Sequence, residues 1–222
     1  MTEKTDSNLI VFALGGLVAV LAFSLGIYIA MLDPKKNDTD KAIQEGLVLW
    51  PNPPSVADFH LKNQLGEPFT RGDLLGKWTM LFFGFANCPD VCPSTLNSLA
   101  AAYQTIPANS EKETPVQMVF VSVDPRRDTM DVLKQYVQHF SEHLIGVTGD
   151  VEQLSALSRS VGGLFLVKPQ SETAPYTVDH SAGIFFISPS TDLVSVLTPP
   201  VSKAAILERL KITQNFFVLK DL

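Results

Sequence analysis

Cys88 and Cys92 are the only cysteines in the sequence, and both fall in the stretch FGFANCPDVCPSTL, four positions apart and each followed by proline. A thiol pair at this spacing has two chemistries open to it. If both residues lie on one helix, their Cα atoms stand about 6 Å apart, inside the range a disulfide tolerates. Reduced, the pair presents two soft sulfur ligands to a metal ion. Spacing alone does not choose between them. The location adds something: the pair follows the apolar run at 78–86 and precedes a helical pattern. The positive end of a helix dipole lowers a thiol pKa and favours thiolate. Ordinary buried cysteines or a static disulfide fit less well, because a bridge closing so small a loop adds little stability.

The other chemistry-bearing residues are less telling one by one. His139 and His143 in HFSEH are four apart, a spacing that can hold a metal. The plainer reading is a solvated helix end, where cationic side chains suit the dipole. His60 reads as structural or surface, and His180 in VDHSAG, taken alone, as structural. Asp90 between the cysteines suits a turn. In DPRRDT, Asp124 or Arg126 is placed to shape a site or dock a partner, and Asp128 to cap the next helix.

The elements that position these groups follow from hydropathy patterning. Residues 57–70 read as a short hairpin with Gly66 near its turn, and 71–77 as one helical turn. WTMLFFGFA, at 78–86, is continuously apolar, the mark of a strand covered on both faces. Within 93–106, Leu96, Leu99, Ala100, Tyr103 and Ile106 recur at helical spacing. VQMVFVSV is a second buried strand ending at Asp124, and DTMDVLKQYVQHF an amphipathic helix. LIGVTG is a short strand, and DVEQLSALSRSVG a helix capped by Asp150 and stopped by Gly162. AGIFFIS and DLVSVL are strands joined by PSTD, and SKAAILERLKI is a closing helix. This order defines an α/β class with a mixed sheet and helices on both faces. In such sheets, sites form at the carboxyl ends of strands beside helix N-termini, where the cysteines stand.

Composition narrows the function. With 17 Lys plus Arg against 23 Asp plus Glu and no basic run, nucleic acid is not an expected partner. Two cysteines are too few for a disulfide-rich scaffold. LIVFALGGLVAVLAFSLGIYIAML, at 9–32, is 24 residues without a charge. As a helix it would be about 36 Å long, enough for a hydrocarbon core of about 30 Å. The acidic start MTEKTDSN and the lack of a small-residue cleavage site argue for an uncleaved anchor over a signal peptide. The expected organisation is a tail at 1–8, a transmembrane anchor at 9–32, a proline-rich tether at 33–52 and a folded domain at 53–222. Lys35 and Lys36 after the span, against Lys4 before it, would by themselves place that domain in the cytoplasm.

In their order and separations, FFGFANCPDVCP, VSVDPRRDT and VDHSAGIFFI resemble the Sco/SenC family of copper-binding, thioredoxin-like proteins. The likeness runs from about residue 59 to the last helix and includes the single anchor. It implies a thioredoxin-like mixed sheet flanked by helices and preceded by one transmembrane helix. It also implies attachment to the inner membrane with the domain in the periplasm, against the Lys35/Lys36 signal. The implied partner is cytochrome c oxidase subunit II, at its dinuclear CuA centre, or another copper-acceptor protein. The family's copper ligands fall on Cys88, Cys92 and His180. Two thiolates and an imidazole make a trigonal set suited to Cu(I), with Cu(II) also open, whereas zinc normally takes a fourth ligand. Asp179 is then an acceptor for the other imidazole N–H, although neighbours in a strand face opposite ways and the contact needs a bend or a backbone route. Two roles remain open. One is a copper metallochaperone. The other is a thiol–disulfide oxidoreductase in which Cys88 and Cys92 are the catalytic redox pair. A thiol peroxidase is a third, since peroxiredoxins share the fold.

Overall fold

The computed structural model describes residues 16–26, 53–106, 114–167 and 178–218. The chain divides into two units, Met1–Glu45 and Gly46–Leu222. In the first, residues 16–26 are helical and expose Leu17, Val18, Val20, Leu21, Phe23 and Leu25. The tail at 1–8, the rest of the expected span at 9–32 and nearly all of the tether at 33–52 lie outside the described residues. No described helix is long and apolar enough to cross a membrane.

The second unit is built on a mixed sheet. The expected hairpin is β1 (His60–Asn63) and β2 (Pro68–Thr70), turned at Gly66, whose φ of 82° suits glycine. A 3₁₀ turn, Arg71–Leu74, follows, and the Asp73 carboxylate accepts the Thr70 N–H at 2.7 Å. β3 (Trp78–Gly84) and β4 (Val116–Ser122) run parallel and are buried at every position, as their unbroken apolar runs require. β5 (Leu144–Thr148) joins β4 in parallel and β1 antiparallel. On the other side β8 (Ile184–Ile187) pairs antiparallel with β3, and β9 (Leu193–Leu197) with β8. The order is β2-β1-β5-β4-β3-β8-β9. A separate antiparallel pair, β6 (Phe165–Val167) and β7 (Val178–His180), was not expected, because three-residue strands are too short to show a period.

Among the described residues, four helices flank the sheet: α1 (Val91–Tyr103), α2 (Met130–Phe140), α3 (Val151–Ser160) and α4 (Lys203–Val218). α1 packs with α4, and α2 lies against β5. Helix starts differ from expectation in two places that matter for the site. α1 begins at Val91, so Cys92 is in its first turn and Cys88 precedes it; the pair does not share a helix. Pro93 fits that first turn because its missing N–H would have had no partner there. The N-cap of α2 is Thr129, whose side chain accepts from Val132 N–H at 3.5 Å, and not Asp128, which is drawn into the interior. Asp150 does stand at the N-cap of α3, though its side chain makes no cap hydrogen bond.

The contact between α2 and β5 depends on Gly146. A Cβ there would lie 2.8 Å from Val137 Cγ1 and 2.9 Å from Leu133 Cγ. Gly146→Ala is expected to lift the helix and lower stability by about 1–3 kcal/mol. The check is the midpoint of urea unfolding, and an unchanged midpoint would show that α2 adjusts without cost.

Candidate metal centre

β3 leaves the sheet at Gly84, and the chain passes through Phe85, Ala86 and Asn87 to Cys88 before α1 begins. Cys88 and Cys92 are free thiols, 7% and 0% exposed. Gly84 makes room for the inner one. A Cβ at that position would stand 2.7 Å from Cys92 Sγ and 2.8 Å from Phe120 Cε2. The third group arrives from β7, where His180 pairs with Phe165. Just beyond it, Ser181 N–H donates to the Leu164 carbonyl at 2.8 Å, and Leu164 N–H donates to Ser181 Oγ at 2.9 Å. These bonds hold the imidazole over the cysteines. Cys92 Sγ and His180 Nε2 are 3.4 Å apart, and the ligand atoms of Cys88, Cys92 and His180 all lie within 4.8 Å of one another.

The hydrogen bonds assign the histidine tautomer. Ser181 O lies 3.1 Å from His180 Nδ1. A carbonyl only accepts, so Nδ1 carries the proton and Nε2 turns a lone pair toward Cys92 Sγ. The ring is held edge-on by Phe82 and Phe85, at centroid distances of 6.1 and 5.8 Å. Burial lowers the imidazole pKa, with the Ser181 carbonyl and the Asp179 charge pulling weakly the other way. His180 is therefore a neutral, ligand-ready imidazole at pH 7.

Burial has the opposite sign for the thiol. It pushes the Cys92 pKa far up, and the Cys88 sulfur beside it adds to the effect. The sequence-based expectation that the helix N-terminus would favour thiolate does not hold for this residue. A helix end is worth about 0.3–1 kcal/mol to a nearby charge, whereas burying an ion costs several kcal/mol. Desolvation wins. In the metal-free chain, Cys92 S–H donates to Nε2, and a metal cation must displace that proton to bind.

Around this core the structure sorts the remaining residues. Asp124 is buried and ion-paired with Arg127, whose guanidinium lies 5.5 Å from the Phe85 ring centroid. Arg127, and not the exposed Arg126, is thus the arginine packed against the site. Asp128 accepts from Ala86 N–H at 2.8 Å and from Ser122 Oγ–H at 2.5 Å. Its burial raises its carboxyl pKa against the pull of those two bonds. Asp90 is exposed at the N-cap of α1 without a side-chain cap bond. Asp179 is exposed on β7, and the acceptor role expected of it belongs to the Ser181 carbonyl, because a strand neighbour faces the other way. His139 packs on Phe140 and His143 on Tyr103, at 5.2 and 5.5 Å between centroids. His60 is exposed in β1. Among the described residues, Cys88, Cys92 and His180 are the one group able to hold a metal ion. Sequence reasoning passed over Gly84, although a glycine ending a run of bulky residues was a readable signal.

The fold and site define a mixed α/β protein that presents two thiols and an imidazole at the carboxyl edge of its central strands. A model of the SCO1/SenC family matches residues 51–214. Protein SCO1 homolog 1, mitochondrial, of Arabidopsis thaliana is 42% identical over 136 residues, covering 61% of this chain and 40% of that protein. Protein SCO2 homolog, mitochondrial, of Bos taurus is 39% identical over 132 residues, covering 60% and 49%. The chain thus spans about half the length of the curated relatives it matches. The crystal structure of Arabidopsis thaliana ScoI with copper bound aligns at a TM-score of 0.64 with 35% identity, covering 72% of this chain and 98% of that one. This chain belongs to the SCO1/SenC family.

The lowered imidazole pKa has a measurable sign. His180 in the metal-free chain is expected to titrate below the ordinary value of about 6.5, followed by its ring-proton NMR shift. The unfolded chain takes up this proton at about 6.5 and the folded chain only at lower pH, so stability falls as pH drops through that value and gains nothing above it. A midpoint at or above the ordinary value would contradict the buried, neutral assignment.

Proposed function

We propose that this chain is a copper metallochaperone that delivers copper to the CuA centre of cytochrome c oxidase subunit II. In this reading the apolar span at 9–32 anchors it in the inner membrane, and the domain at 53–222 faces the periplasm. The observation that carries the proposal is the convergence of Cys88, Cys92 and His180 to within 4.8 Å. Relatives solved with copper bound, from Arabidopsis thaliana and Bradyrhizobium japonicum, support copper as the cargo.

The chemistry follows from the donor set. Two thiolates and the unprotonated Nε2 form a soft trigonal site that suits Cu(I). Three-fold coordination leaves an approach open to an incoming thiolate of the acceptor. As that sulfur binds, one of the chain's own sulfurs leaves and takes up a proton. Burial favours the thiol at Cys92 and so helps its departure. His180 leaves as a neutral ring, with Nδ1–H still on the Ser181 carbonyl. The cargo passes from sulfur to sulfur without entering water. An oxidase centre assembled at the outer face calls for a periplasmic domain, and this chemistry outweighs Lys35 and Lys36.

The test is metal stoichiometry on the full chain, purified in detergent, reduced and loaded with Cu(I). One copper per chain is expected, with Cys88→Ser, Cys92→Ser and His180→Ala each weakening affinity at least about tenfold. Unchanged affinity in any of the three removes that residue from the ligand set. Two free thiols side by side also support the second reading, a thiol–disulfide oxidoreductase acting on the acceptor's cysteines. His180 separates the two roles, since a reductase needs the thiols but not the imidazole. Oxidase assembly restored by His180→Ala but not by Cys88→Ser favours the reductase. For topology, a reporter fused after Leu222 is expected to be active in the periplasm; cytoplasmic activity would remove the proposed partner as well.

A further inference from the structure

We propose that Asp128 is a positioning residue for the metal-binding loop, a side-chain rung that replaces the next backbone hydrogen bond of the sheet and sets the course of the chain into Cys88. The loop's role as a copper site rests on the function proposed above; the geometry of the rung does not.

β3 and β4 pair in parallel from Trp78↔Val116 to Gly84↔Ser122. One more rung, Val123 N–H to the Gly84 carbonyl at 2.9 Å, follows the last pair. In a continued parallel ladder the next donor would be Ala86 N–H and its acceptor the Val123 carbonyl. Ala86 N–H instead donates to Asp128 Oδ2 at 2.8 Å. The same oxygen accepts from Ser122 Oγ–H at 2.5 Å, and the Ser122 carbonyl accepts from Thr148 Oγ1–H at 3.0 Å. One carboxylate oxygen therefore ties the end of β3 to the end of β4, and through Ser122 to the end of β5. Asp128 is only 1% exposed. A buried carboxylate is tolerated only where donors meet it, so its place is bound to theirs.

The consequence reaches two of the metal-binding groups, Cys88 and His180. Taking Ala86 off the ladder lets the chain turn out of the sheet two residues before Cys88, whose N–H closes onto the Phe85 carbonyl at 3.1 Å. Phe85, in the same held stretch, sets its ring 5.8 Å from the His180 imidazole. Arg127, adjacent to Asp128, covers the Phe85 ring at 5.5 Å. Asp128 is not itself among the ligands, which are Cys88, Cys92 and His180. Its Oδ1 has no hydrogen-bond partner among the described residues. One oxygen thus does both jobs, and an asparagine can reproduce them with its amide oxygen where an alanine cannot.

The experiment pairs amide hydrogen exchange at Ala86 with Cu(I) affinity measured against a chromophoric chelator, on the full chain in detergent. In the wild type, the Ala86 amide is expected to exchange as slowly as the ladder amide of Val123. In Asp128→Ala, Ala86 exchange should quicken at least about tenfold and affinity fall about 10–100-fold. Asp128→Asn should restore both toward wild type. A folded Asp128→Ala chain with wild-type affinity overturns the proposal, as does a wild-type Ala86 amide that exchanges freely. A folded Asp128→Asn chain that loses as much affinity as alanine assigns the effect to charge and overturns positioning. If the alanine variant does not fold, the wild-type exchange and the asparagine affinity decide the matter. Failure of the wild-type chain to bind copper defeats the metal reading alone, and Ala86 exchange still judges the rung.

Discussion

Cys92 Sγ is sealed from water, packed where the Gly84 backbone, the Phe120 ring and the His180 imidazole meet. Seating a sulfur there sets the terms for the rest of the site. The strand beneath must end in glycine, since a single methyl group would occupy the same space. The helix that carries the cysteine begins at Val91, after the six-residue loop 85–90 that follows the strand, so Cys92 falls in its first turn. The imidazole arrives from a different element, because the loop at 85–90 holds no histidine, and the amide nitrogen of Asn87 has no basic lone pair to offer.

Burial also decides the protonation of the site, and it does so with one cause and two signs. It raises the thiol and lowers the imidazole, so both groups favour their neutral forms. A metal-free site of this kind avoids isolated buried charge. A soft cation reverses the balance by pairing with thiolate, and its departure lets the sulfur recover a proton. Binding and release of a metal at this site are then both coupled to proton movement. The polar groups that hold this arrangement include the Ser181 carbonyl at Nδ1 of the ring, the Asp124–Arg127 ion pair beside Phe85 and the Asp128 carboxylate on Ala86 N–H.

Much of the architecture was legible locally. Continuous apolar runs marked β3 and β4 as strands buried on both faces, and helical spacing marked α1 and α2, because burial and periodicity act over a few residues. The errors came where a side chain had a choice between a local and a distant partner. Asp128 and Thr129 are both good N-caps by type. Thr129 takes the cap because Asp128 is claimed by Ala86 and Ser122, donors that no local pattern reveals. Arg126 and Arg127 are equivalent in sequence, and only the position of the Phe85 ring distinguishes them. Asp179 gave way to Ser181 because strand geometry turns adjacent side chains apart.

By itself the sequence determined the thiol pair, its location at a strand end before a helix, and the class of metal such sulfurs attract. Those are matters of residue type and short-range order. Tertiary structure alone decided that His180, which is 88 positions from Cys92, comes within 3.4 Å of its sulfur, and that the thiol there is held protonated. Both depend on which surfaces are removed from water together, and that is a property of the packed sheet, not of any segment in it.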